Sequence, residues 1–128
     1  MAVQRAHMPT VLVVDDDASV RSLLSYIVRH HLAGHEIVVA ADGVEALDYL
    51  SERAIDLVIT DHEMPRLSGL ELVQIVKART PDLPVILISG DLLHDIEQQA
   101  QDCGADFFLP KPFLVTQLTP ILDAVCPR

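Results

Sequence analysis

The chain has 128 residues and a formal net charge of −10, from 19 acidic against 9 basic side chains, which fits one domain with a real core and argues against a broad contact surface for a phosphate backbone. Half of the residues are hydrophobic but only 4% are aromatic, with no Trp, so the core has to be built from Val, Leu, Ile and Ala, the composition of buried parallel strands in an α/β protein. No apolar stretch reaches membrane-spanning length, residues 1–7 lack the apolar core of a signal peptide, and Cys103 and Cys126 lack the spacing of a disulfide framework or metal knuckle; the expectation is a soluble, cytoplasmic protein with reduced thiols, without direct nucleic-acid or membrane partners.

After a flexible lead at 1–9, a first strand is predicted at 10–14, where the apolar run Val11-Leu12-Val13-Val14 meets Asp15-Asp16-Asp17. Three carboxylates at the end of a buried strand repel one another and lose hydration, so they call for a cation or for hydrogen-bond donors. Asp17 is set apart as N-cap of the first helix, whose stripe is Val20, Leu23, Leu24, Ile27 and Val28 and whose end is marked by Gly34. A strand at 36–40 and a helix at 43–52, capped by Asp42 and facing inward through Ala46, Leu47 and Leu50, come next.

The third strand, at 56–60, runs into Asp61-His62-Glu63-Met64-Pro65. A helix beginning after Ser68 or Gly69 buries Leu72, Val73 and Val76 and ends before Pro81 and Pro84. The fourth strand, 84–89, closes on Ser89 and is followed by Gly90, Asp91 and a helix at 92–102; the fifth, 105–109, leads into Pro110-Lys111-Pro112. The last helix carries Leu118, Ile121, Leu122 and Val125, and 126–128 form a tail.

Strands alternating with helices over short links imply a parallel sheet covered on both faces. Such sheets hold ligands outside the carboxyl ends of their strands, and Asp15, Asp16, Asp61, Ser89 and Lys111 all stand at those ends. Carboxylate oxygens suit Mg²⁺; an Asp can accept a phosphoryl group, whose oxygens a cation, a Lys ammonium, a hydroxyl and backbone N–H groups would neutralise.

The motifs VLVVDDD, LVITDHEMPRLSG, VILISG and GADFFLPKPF, in this order, resemble the receiver domain of bacterial two-component response regulators over 10–125. The resemblance implies a flavodoxin-like doubly wound (βα)5 fold with five parallel strands in the order 2-1-3-4-5. It implies Asp61 as phosphoacceptor, Mg²⁺ held by Asp15, Asp16, Asp61 and the main-chain carbonyl of Glu63, and Ser89 and Lys111 bonding the phosphoryl group. Ser89 and Phe108 take the switch positions, and Lys111-Pro112 resembles the family's cis peptide. Glu63 and Asp91 take the positions that tune self-dephosphorylation; being acidic, they either orient water or repel it.

The implied donor is a phosphohistidine on a sensor histidine kinase or a histidine phosphotransfer protein. The implied output is a downstream partner or covalently linked output domain engaged through the fourth helix, fifth strand and fifth helix (Gln98, Gln101, Phe108, Gln117), with a phosphorylation-dependent dimer also compatible. The chain is then a stand-alone receiver or part of a longer protein, and not a turnover enzyme. Two rivals exist. A haloacid-dehalogenase-like Mg²⁺ phosphohydrolase also uses an Asp nucleophile, but in a DxDGT-like motif after its first strand, where this chain has Asp17-Ala18-Ser19. A pseudo-receiver would keep the fold as a binding module. His62, next to Asp61, is expected to point away from it because side chains alternate along extended chain.

Overall fold

The computed structural model describes residues 8–126, so positions 1–7 of the expected lead and 127–128 of the expected tail lie outside the described residues. The elements alternate along the chain as β1 (Thr10–Val14), α1 (Ala18–His31), β2 (Glu36–Ala40), α2 (Gly43–Glu52), β3 (Leu57–Asp61), α3 (Gly69–Arg79), β4 (Val85–Ser89), α4 (Ile96–Cys103), β5 (Phe107–Pro110) and α5 (Val115–Val125). All strand pairs are parallel, in the order β2-β1-β3-β4-β5, the doubly wound topology expected from the sequence.

Period-two alternation divides the core between the two sheet faces. Val11, Val13, Leu57, Ile59, Ile86 and Ile88 pack with Leu24, Ile27 and Val28 of α1 and with Leu118 and Leu122 of α5. Leu12, Val14, Val58, Val85 and Leu87 pack with Ala46 of α2, with Leu72, Val73 and Val76 of α3 and with Ile96 and Ala100 of α4. Each residue of β1, β3 and β4 is buried, which is why these segments read as continuous apolar runs. Cys126 packs into the first of these clusters, one residue past α5. Among the described residues no helix is long and apolar enough to cross a membrane.

Local chemistry sets the helix starts. The Asp17 side chain accepts from Ser19 N and Val20 N, and that of Asp42 accepts from Glu45 N, as the sequence predicts. Ser68 and Glu71 form a reciprocal capping box. Two expectations are corrected. Leu23 is 50% exposed, because α1 turns Leu24, Ile27 and Val28 to the sheet and leaves Leu23 on the rim of that stripe. Helix α4 starts at Ile96, four residues later than predicted, because the Asp91 carboxylate accepts from Leu93 N and His94 N and Asp95 sits in a left-handed conformation at φ 52°; this turn competes with the helix for the same backbone donors.

Gly69 ties α3 to the end of β3. A Cβ there would lie 2.3 Å from the carbonyl oxygen of Asp61 and 2.7 Å from the Cα of His62, and the Gly69 amide donates to the His62 carbonyl at 3.0 Å. Gly69→Ala is therefore expected to lower the unfolding free energy by about 2 kcal/mol. Gly90→Ala, whose Cβ would meet only the Lys111 Cβ at 3.6 Å, should change it by less than about 0.5 kcal/mol; equal midpoints for the two variants in urea would refute the close-approach account.

Candidate functional site

The reversal of strand order falls between β1 and β3, whose neighbours continue in opposite directions, and this opens a crevice at their carboxyl ends. Asp15 follows β1 and Asp61 closes β3; they are 1% and 2% exposed. The exposed Asp16 joins them, with one carboxylate oxygen from each of the three lying within 4.8 Å of the others. Asp15 is fixed by its amide donating to Ala40 O at 3.1 Å and by its Oδ1 accepting from Asp17 N at 2.9 Å. The triplet thus divides, since Asp17 turns to the helix while Asp15 and Asp16 turn to the crevice.

Lys111 enters from the loop after β5, where the Lys111–Pro112 peptide is cis. Its Nζ lies 2.7 Å from Asp61 Oδ1 and 3.6 Å from Asp15 Oδ2. Asp15 Oδ2 and Asp61 Oδ1 are buried without a well-formed hydrogen bond, so one ammonium faces two buried carboxylates. Burial, reinforced by the Asp15 and Glu63 charges and opposed by Lys111, pushes the Asp61 carboxyl from its ordinary 3.8 up to about 6. Burial also raises Asp15. For Lys111 burial works the other way, yet its contact with Asp61 and the charges of Asp61, Asp15 and Glu63 outweigh it and raise the ammonium. Buried hard oxygens that carry more negative charge than one ammonium offsets fit a divalent cation with oxygen preference.

Ser89, 1% exposed, ends β4 beside this group. Its hydroxyl donates to Glu63 Oε2 at 2.6 Å and accepts from Asp91 N at 3.0 Å, while Gly90 N donates to Glu63 Oε1 at 3.1 Å. The carboxylate of Asp91 instead serves its own loop, where the Leu93 amide and then His94 hold it below the usual carboxylate range. Phe108 is half-buried against the face covered by α2, α3 and α4. His62 turns its ring to the start of α3, its Nδ1 lying 3.3 Å from Leu70 N, in keeping with a direction away from Asp61.

Two residues that support the site were not singled out for that role from the sequence. Arg21 donates from Nη1 to the Asp15 carbonyl at 2.6 Å; no helical spacing rule links a residue to one outside the helix six positions back. Gly69 had a signal, because glycine just inside a helix start is conformationally costly and needs a reason such as a close backbone approach.

A model of the response regulator receiver domain family matches residues 11–123. The response regulator MprA of Mycobacterium sp. (strain KMS) is 36% identical over 118 residues, covering 92% of this chain and 50% of the relative. The transcriptional regulatory protein PrrA of Mycobacterium tuberculosis (strain ATCC 25618 / H37Rv) is 37% identical over 120 residues, covering 94% and 51%. The chain therefore spans about half the length of these curated relatives. Among solved structures, the chemotaxis response regulator CheY4 of Vibrio cholerae superposes with a TM-score of 0.81 at 32% identity, covering 93% of this chain and 99% of that one. The response regulator TrrA of Thermotoga maritima, in complex with Mg(2+)-BeF, gives 0.81 at 31% identity, covering 92% and 99%.

The buried carboxyl carries a pH signature. Asp61 binds its proton more tightly folded than unfolded, so between its ordinary 3.8 and about 6 the native state holds more protons and stability falls as pH rises. In metal-free buffer at pH 7, Asp61→Asn is expected to raise the unfolding free energy by roughly 1–2 kcal/mol and to flatten this slope. A loss of stability in urea titrations at that pH would contradict the burial account.

Proposed function

The chain belongs to the response regulator receiver domain family, and on that premise we propose that it accepts a phosphoryl group on Asp61 from a phosphohistidine of a sensor histidine kinase or histidine phosphotransfer protein. The observation that carries this reading is the buried Asp61 carboxylate, held beside Asp15 and facing the Lys111 ammonium at 2.7 Å. With its carboxyl at about 6, Asp61 is ionised at neutral pH yet more basic than an ordinary carboxylate. It is thus a better nucleophile toward phosphorus.

In the proposed transfer an Asp61 oxygen bonds to phosphorus as the phosphorus–nitrogen bond of the donor breaks, and the electron pair returns to the imidazole. Lys111 moves its contact from the free carboxylate to a phosphoryl oxygen, and the Ser89 hydroxyl bonds another. Asp15, Asp16, Asp61 and the main-chain carbonyl of Glu63 would hold Mg²⁺, which supplies positive charge against the phosphoryl oxygens; the complex of TrrA with Mg(2+)-BeF supports this choice of ion.

Inward movement of Ser89 and reorientation of Phe108 then bias the surface of α4, β5 and α5, where Gln98, Gln101 and Gln117 are exposed, toward a downstream partner, a linked output domain or a second receiver. The receiver domain is assigned to 10–125, acting in the cytoplasm, with Glu63 and Asp91 setting the lifetime of the phosphoryl group. Receiver domains are signalling phosphoacceptors and not turnover enzymes, and the nucleophile at the end of β3 departs from the first-strand placement of the phosphohydrolases.

Acetyl phosphate with Mg²⁺ is expected to label the protein once, and Asp61→Asn should abolish the label; undiminished labelling of that variant would overturn the assignment. Asp16→Asn should weaken Mg²⁺ affinity, followed by titration of a backbone amide near the site. Lys111→Ala is expected to remain labelled while losing most of the phosphorylation-dependent shifts in α4 and β5, and a full set of shifts would remove Lys111 from the switch.

A further inference from the structure

Glu63 lies two residues past Asp61, and its side chain curls back over the strand ends to β4. One oxygen takes the Ser89 hydroxyl at 2.6 Å and the other takes the Gly90 amide at 3.1 Å. The Ser89 hydroxyl has one proton, and its oxygen already accepts from Asp91 N at 3.0 Å, so its donating capacity is fully committed. Register places Asp61 opposite Ile88, the residue before Ser89. The two donors engaged by Glu63 therefore belong to the two residues that follow the β4 position paired with Asp61, at the same end of the sheet as a phosphoryl group on Asp61.

We propose that the Glu63 carboxylate is an internal competitor for the phosphoryl group, occupying the Ser89 hydroxyl and the Gly90 amide in the resting protein and displaced when Asp61 is phosphorylated. This rests on Asp61 as phosphoacceptor. A carboxylate and a phosphoryl group both offer anionic oxygens, and the single hydroxyl proton serves one of them at a time. Charge repulsion also disfavours the two anions sharing the space. Phosphorylation therefore exchanges one acceptor for another, and only the difference between them favours the switched state. Asp91 does not compete, since its carboxylate is engaged by Leu93 N, His94 N and the His94 ring.

The test uses Glu63→Ala and Glu63→Gln in the full chain. Without ligand or metal, Glu63→Ala is expected to speed hydrogen exchange at the otherwise exposed Gly90 amide by about tenfold. With Mg²⁺ and beryllium fluoride as probe, Glu63→Ala should bind about threefold to tenfold more tightly than the parent protein, with Glu63→Gln between them. In a Ser89→Ala background the gain should shrink, which separates competition from a general structural effect. Equal or weaker probe binding by both Glu63 variants, or unchanged Gly90 exchange, would overturn the competitor while leaving Asp61 in place. Failure of the parent and both variants to bind the probe or accept acetyl phosphate would instead overturn the phosphoacceptor reading, and the competitor with it.

Discussion

Asp15 and Asp61 stand at the ends of adjacent strands, each almost fully withdrawn from solvent, with the Lys111 ammonium reaching both. Two unit charges about 4 Å apart repel by roughly 4 kcal/mol at the effective dielectric of a protein surface. Neither backbone can relax away, because Val14 pairs with Thr60 and Asp61 pairs with Ile88 inside the sheet. The excess negative charge is thus built in by the strand pairing. It makes the crevice receptive to a divalent cation, and burial, reinforced by the Asp15 charge, keeps the Asp61 carboxyl basic.

Rigidity beneath those charges comes from both faces of the sheet. One layer, with α1 and α5, buries one set of alternating strand residues; the other, with α2, α3 and α4, buries the opposite set. The ends of the strands are then pinned by short-range chemistry: Arg21 on the Asp15 carbonyl, Ala40 O on the Asp15 amide, and Gly69 against the Asp61 carbonyl. The contact at Gly69 leaves no room for a Cβ, so the direction of the chain after Asp61 is set by backbone packing as much as by side chains.

The strands and the residues at their ends were legible because buried parallel strands must be apolar throughout, and a carboxylate, hydroxyl or ammonium just past such a run stands out. The N-caps Asp17 and Asp42 were legible for a related reason, since a short acceptor before an apolar period has one favoured use. The start of α4 was not, because Asp91 serves equally as a helix-start acceptor or as the centre of a turn, and contacts of Leu93 and His94 decide for the turn. Glu63 was ambiguous in another way. Its position was readable, but the direction of a long, flexible side chain depends on which donors lie nearby, and those belong to the last residue of β4 and the residue after it, twenty-six and twenty-seven residues later.

A sheet this well pinned leaves few places where an event at Ser89 can be expressed as a change of shape. The segment from Ser89 to α4 differs from the rest. Leu92 and Leu93 are 85% and 88% exposed, Asp95 holds a left-handed conformation without a side-chain cap bond, and α4 itself is only 8 residues long. Few buried apolar contacts and an uncapped helix start mark a region whose local opening costs little free energy. Ser89 therefore sits at a boundary: behind it, β4 is buried on both faces and paired on both edges; ahead of it, the chain is held mainly by the Asp91 turn. On the proposed function, a hydrogen-bond exchange at Ser89 would displace the softer side and carry to α4 and the neighbouring half-buried Phe108, while the strand pairing holds the carboxylate pair fixed.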